Sequence, residues 1–346
     1  MLPSLDVFGD VDLTGARTFG ANTQVFMAGG RVFVATDRSI RRYIIDGSTL
    51  VQDGDSIDFV STAITRFSGV FTVFDDTHAW YFDHEHLHAF ALDLEMMTRS
   101  TEISFTSLAD TDLNPFPTGA YLVGDIVYMP YYYLRPSDPV FIESETYVAQ
   151  FSYSGKSLST TTGASTLRRG NCARLHPFAR LGDTLLFLGD SSSMSVLGTP
   201  LPEPNCLRRI EPANPNTMDF GFTINMDDLT APYIAATGAV QYDQLVVTWT
   251  RANTVIMTQA QWDTDTRWVP QVTDLADLQT DELANLMTLD NPIESKGAPG
   301  KTFFVEGEAK FLVPKQVAGD GTILTNTSGT PIASFPGTVT LIERVR

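Results

Sequence analysis

The sequence predicts an all-β chain assembled from repeated four-stranded units, and three observations carry that prediction. Apolar residues alternate with polar ones over long stretches rich in aromatic and β-branched side chains and bounded by Gly, Asp and Asn, while runs with a 3.6-residue period are nearly absent. A turn residue followed by a mostly apolar run recurs as Arg31-Val-Phe-Val-Ala, His78-Ala-Trp-Tyr-Phe, Asp125-Ile-Val-Tyr-Met, Asp183-Thr-Leu-Leu-Phe, Asp243-Gln-Leu-Val-Val and Lys301-Thr-Phe-Phe-Val, with starts 47, 47, 58, 60 and 58 residues apart. Several of these runs are followed by a turn and a second strand with outward polar residues, among them Ile40 to Asp46, Leu87 to Asp93, Tyr147 to Tyr153 and Val255 to Gln261.

A hairpin of this kind cannot bury both faces alone, but sheets packed face to face around a central axis can. The expected architecture is therefore a β-propeller of six blades, with seven as the alternative, and residues 1–346 form a single domain. In each blade the buried run is the second strand and the polar-alternating run the third. Ser56-Ile-Asp-Phe-Val and Ile103-Ser-Phe serve as looser fourth strands. Ring closure is expected between an N-terminal strand, Leu5-Asp-Val-Phe, and a C-terminal strand near Thr338-Val-Thr-Leu-Ile. One short helix is expected in a connection, from Asp274 to Met287, where Leu275, Leu278, Leu283 and Leu286 fall near helical spacing.

Composition narrows the function classes. With 43% hydrophobic and 18% charged residues the chain can bury a sizeable core, and no apolar run approaches the ~20 residues of a membrane-spanning helix. The 41 acidic residues against 23 basic ones give a net charge of −18, which argues against nucleic acid and anionic lipid as partners. The opening Met-Leu-Pro-Ser-Leu-Asp carries neither a basic nor an apolar leader. Lysine scarcity and an Asp, Ser, Thr and Gly surface favour a protein exported after removal of a signal peptide: secreted, periplasmic or at the cell surface.

The unit Ala28-Gly-Gly-Arg-Val-Phe-Val-Ala-Thr-Asp followed by Ile40-Arg-Arg-Tyr-Ile-Ile-Asp resembles the repeat of secreted bacterial β-propellers of the YVTN and quinoprotein-like classes. The resemblance implies the fold and an exported location but no single activity, because propellers host enzymes and binding modules alike. Trp80, Trp249, Trp262 and Trp268 do not recur at equal positions, so a quinone cofactor is not expected.

Turns joining second to third strands share the usual ligand face, and two of them carry candidate chemistry. Asp83-His84-Glu85-His86-Leu87-His88 holds three of the five histidines. Asp83, His84 and His86 are the candidate ligands for a divalent metal ion, against a solvated turn in which histidines pair with carboxylates. His176 could complete that site or serve as a structural hydrogen bonder. Tyr131, Tyr132, Tyr133 and Arg135 are expected in a long loop, as an aromatic platform beside polar groups or as filling between blades. Cys172 and Cys206 fall on the same face and are expected to form a disulfide, closing a loop of about 34 residues worth on the order of 3 to 4 kcal/mol. Asp263 and Asp265 read as a plain turn.

These features point to an exported or surface-attached propeller that binds a ligand on its long-loop face: a small molecule, a glycan or a protein. The alternative is a propeller hydrolase or lyase acting on polysaccharide or peptide, metal-dependent if the histidine turn holds an ion. The sequence leaves enzyme and binding module both open.

Overall fold

The computed structural model describes residues 9–10, 19, 23–46, 49–137, 145–154, 157–159, 167–170, 175–189, 206–210, 222, 224–225 and the strands 244–251, 254–260, 267–274, 287–288, 293–294, 303–305, 310–316, 322–325 and 331–335. Among these residues the chain is β throughout, apart from one 3-10 turn at Thr106–Leu108. The protein is all-β, with six sheets among the described residues, each built from strands that succeed one another in the chain except that Gly9–Asp10 joins the sixth.

The first sheet runs Gln24–Ala28, Arg31–Thr36, Ser39–Asp46, Thr49–Asp58, and the second Val70–Asp75, His78–Asp83, His88–Asp93, Thr98–Ser104. The third is built on Asn114–Pro117, Ile126–Leu134 and Glu145–Ser154, with Tyr121–Val123, Ser157–Ser159 and Leu167–Gly170 at its margins. The fourth joins Leu175–Leu181, Thr184–Gly189, Cys206–Ile210 and Ile224–Asn225. The fifth starts at Gln244–Arg251 and the sixth at Phe303–Val305, and in the sixth Gly9–Asp10 pairs parallel with Ala333 and Ser334 of Pro331–Phe335.

The apolar runs form strands because both of their faces are covered. In His78–Asp83, Ala79 and Tyr81 pack with Phe33, Ile57, Phe59 and Phe67, while Trp80 and Phe82 pack on the other side with Val127, Met129 and Tyr131. A strand between two apolar layers has no polar side to show, so it reads as a run rather than an alternation. Acidic side chains shape the turns. Asp58 accepts from the Val60 N–H, Asp75 from the Thr77 N–H, and Asp93 from the Glu95 and Met96 N–H groups.

The expected second strands of the first four sheets stand where the pattern places them. The runs from Asp243 and Lys301 instead supply the first described strands of the fifth and sixth sheets. The expected closing strands 5–8 and 338–342, and the body of the expected helix, 275–286, lie outside the described residues. The chain divides into two compact units, one comprising Thr14–Pro177 with 212–218 and 345–346, the other Met1–Leu13, Phe178–Glu211 and Asp219–Arg344. The first three sheets belong to the former, and the candidate site lies entirely within it.

Candidate functional site

The site is built around the turn between the second and third strands of the second sheet. Asp83 closes the strand His78–Asp83 with only 1% of its surface exposed, and its two oxygens fix the turn. Oδ1 accepts the Glu85 N–H at 3.2 Å and Oδ2 accepts the His86 Nδ1–H at 2.5 Å. Leu87 then turns the chain with a left-handed φ of 57°, a conformation tolerated here because its side chain is buried in the core. His84 leaves the turn toward the third sheet, where its ring lies 4.1 Å from that of Phe116, which stacks on Tyr132 at 4.9 Å.

The other wall is the connection from the first sheet to the second. The Arg38 guanidinium donates to the carbonyls of Val60, Thr62 and Ile64, and the Gln24 amide donates to those of Phe67 and Gly69 at 2.9 Å each. Gly69 donates its N–H to the Tyr81 hydroxyl and passes so near Phe82 that a Cβ would stand 1.9 Å from the Phe82 carbonyl oxygen. Held this way, the segment delivers Arg66 to Glu85, with Nη2 and Oε1 2.7 Å apart.

Two clefts flank that ion pair. One, of about 480 Å³, lies toward the third sheet and is lined by Arg66, His84, Glu85, Phe116, Leu134 and Arg135, among others. The second, of about 400 Å³, lies toward the first sheet and is lined by Thr23, Gln24, Phe67 and Ser68 together with the same Arg66, His84 and Glu85. Burial is the largest single influence on the Glu85 carboxylate and works against it, but the hydrogen bonds from Arg66 and Ser68 and the charge of Arg66 together outweigh this and hold its pKa below the usual value. For His84 burial wins over the nearby Asp83 and Glu85 carboxylates, so the imidazole stays neutral to lower pH than usual. Its Nδ1 is buried with no hydrogen-bond partner among the described residues.

As pH falls below the ordinary histidine value of about 6.5, the unfolded chain takes up a proton that folded His84 refuses, so stability drops. His84→Gln should flatten the decline in melting temperature between pH 7.5 and 5.5 by about 1–2 °C, read by calorimetry in matched buffers; an unchanged slope would place the group elsewhere. Asp83→Ala strands the Glu85 N–H and His86 Nδ1 and should lower stability by about 2 kcal/mol, with Asp83→Asn costing less than half of that. Equal losses in the two variants would count against the hydrogen-bonding role.

Of the residues singled out from sequence, Asp83 and His86 are brought together, as carboxylate and imidazole bonded to each other, while His84 packs on Phe116. The three do not share a point, and no group of three His, Cys, Asp or Glu side chains suited to a metal ion occurs among the described residues. Tyr131, Tyr132 and Tyr133 stand in the strand Ile126–Leu134 and not in a loop, with exposures of 1%, 7% and 8%. The expectation of a loop is corrected accordingly. Phe116 and Pro117 pair with Tyr132 and Tyr131 and extend the sheet past Pro130, Tyr131 and Tyr133 pack on Tyr147, and the Tyr133 hydroxyl donates to the Leu108 carbonyl. Arg135 does reach the larger cleft, so the histidine turn and the tyrosine segment contribute to one site. Arg66 and Phe116 are the residues sequence reasoning missed. Cys206 is buried at the start of its strand, His176 lies in Leu175–Leu181, and Cys172, Asp263 and Asp265 lie outside the described residues.

No family model and no curated protein matches the chain. Solved structures similar to it include the hydrazine synthase of Kuenenia stuttgartiensis, at 11% identity over 92% of this chain and 81% of that one, with a TM-score of 0.49. A chain of a mitotic checkpoint complex is similar at 11% identity over 98% and 89%, TM-score 0.45. Hsv2 of Kluyveromyces lactis is similar at 8% identity over 92% and 83%, TM-score 0.45. None of these likenesses assigns an activity to this chain. No helix among the described residues is long and apolar enough to cross a membrane.

Proposed function

We propose that the protein is a binding propeller that holds a neutral, polar ligand with a flat apolar face in the cleft between the second and third sheets. The observation that carries this reading is the lining of that cleft. The Glu85 carboxylate is already matched by Arg66, and His84 is kept neutral by burial. The ion pair and the imidazole therefore ask for no charge from the ligand, and a chain of net charge −18 repels anions. Asn114, Arg135 and the ion pair bring hydrogen-bonding groups beside the rings of His84 and Phe116. A few placed polar groups against an aromatic surface are the usual make-up of a small-ligand site.

Phenyl β-D-glucoside combines both features and serves as probe. Saturation-transfer NMR should show binding near 1 mM, the affinity reasonable for so small a ligand. His84→Ala and Phe116→Ala should each weaken it at least fivefold while the fold, checked by circular dichroism, persists. Absence of transfer to the wild-type protein would overturn the reading.

The same reading includes a single domain over 1–346, supported by the pairing of Gly9–Asp10 with Ala333–Ser334. It also includes an exported location, supported by the acidic, lysine-poor composition. A disulfide between Cys172 and Cys206 fits that location, and its support is that no free cysteine occurs among the described residues.

A further inference from the structure

The two clefts have three residues in common, and this places them on either side of one crossing point, the Arg66–Glu85 pair with His84 beside it. Their remaining lining residues come from the same end of three successive sheets. Gln24 opens the first strand of the first sheet and pairs with Ala35 near the end of the second strand. Phe67 and Ser68 precede Val70, which pairs with Phe82 just before the turn that carries His84 and Glu85. Asn114 opens the first strand of the third sheet and pairs with Leu134, which precedes Arg135. First-strand starts and second-strand ends of three successive sheets thus line this pair of clefts, a trench crossed by the Arg66–Glu85 pair.

We propose that this trench is one groove that takes an extended neutral oligosaccharide, laid across the Arg66–Glu85 pair with sugar units on both sides. The proposal rests on the cleft reading and adds to it the polymeric nature of the ligand. Face-to-face sheets stand ~10 Å apart, so the trench spans about 20 Å from the first sheet to the third, a distance that a chain of about four pyranose rings covers. Its lining combines side chains that match sugar hydroxyls, namely Thr23, Glu85, Asn114 and Arg135, with the His84 and Phe116 rings that match a sugar's apolar face. An extended peptide would instead seek the unpaired main-chain groups of a strand edge. The trench is made of strand ends and turns, and a polyanion meets the overall charge of −18.

The floor of the trench is fixed in advance. Gln24 ties the first sheet to the Phe67 and Gly69 carbonyls, and Arg38 holds the connection at three carbonyls. A groove that needs no ordering on binding gains affinity from each unit added until the chain overruns its length.

Titration calorimetry with cellohexaose, xylohexaose, mannohexaose and chitohexaose tests the proposal, with the dimer-to-hexamer ladder of whichever binds measured next. At least one hexamer should bind, with affinity rising at least tenfold from dimer to tetramer and little further to hexamer. Thr23→Trp, which fills the cleft on the first-sheet side, should bring hexamer affinity down to that of the wild-type dimer. A dimer that binds as tightly as the hexamer, or a Thr23→Trp variant that binds the hexamer unchanged, would overturn the extended groove while leaving the phenyl glucoside site standing. No binding by any of the four hexamers, or binding only of a hexaglycine control, would overturn the oligosaccharide itself. Loss of phenyl glucoside binding in the wild type would instead remove the underlying cleft reading.

Discussion

Phe59→Ala is expected to lower stability by about 4 kcal/mol, the middle of the range for emptying a fully buried phenylalanine site. For a chain of this size that corresponds to a fall of about 5 °C in melting temperature. Phe59 has no exposed surface and meets three rings edge-on: Phe67 at 5.1 Å, Phe90 at 5.3 Å and Tyr81 at 6.2 Å. Its main-chain N–H is bonded to the Arg38 carbonyl, and the Arg99 guanidinium lies 5.4 Å from its ring. The lost contacts therefore come from the second sheet and from the connection that leads to it, and neither can close the void without pulling away from the other. Because Phe67 sits beside Arg66 and Ser68, the variant should also weaken phenyl glucoside binding. Phe59→Leu should recover most of the melting temperature, and a fall below 2 °C in the alanine variant would show that the site collapses freely.

Gly69→Ala is expected to cost about 3 kcal/mol, or about 4 °C, for a different reason: insertion of a single methyl group where there is no room. The new Cβ would stand 1.9 Å from the Phe82 carbonyl oxygen and 3.1 Å from the Asp83 Cα, both backbone atoms that belong to the buried strand. Relief requires the 66–69 segment to lift away from the strand, which strains the Gln24 bonds and draws Arg66 from Glu85. Gly124 provides the comparison. Its φ is +57° with nothing within 4 Å of an added Cβ, so Gly124→Ala carries only the left-handed backbone cost of about 1 kcal/mol. If the two variants melt alike, crowding against Phe82 is not what Gly69 relieves.

Much of the fold is legible in the sequence because burial on two faces leaves a run that no other element needs. Arg31–Thr36 and His78–Asp83 are seen this way, and their neighbours Ser39–Asp46 and His88–Asp93 are marked by turn residues and outward polar positions. The third sheet shows where local reading ends. The strand Ile126–Leu134 has two partners on one side, Tyr121–Val123 over its first part and Asn114–Pro117 over its last. Only that second partner, remote in the pattern, keeps Tyr131 to Tyr133 in the sheet. The site is legible in halves. The histidine turn and Arg135 stand out by composition, but their meeting depends on how two sheets pack. Arg66 and Phe116 carry no local signal at all: one is an exposed arginine in a connection, the other a phenylalanine between two prolines.

The parallel pairing of Gly9–Asp10 with Ala333–Ser334 joins positions separated by nearly the whole chain. On a ribosome that contact has no partner until Pro331–Phe335 has emerged, whereas each hairpin of the first three sheets can form as soon as its own residues emerge. The entropy of closing so long a loop grows only slowly with length, and it falls further once the intervening sheets have ordered. This seam is thus available to a nascent chain only after the hairpins of the first three sheets, and it is the place where an exchange of strands between two half-made copies would begin.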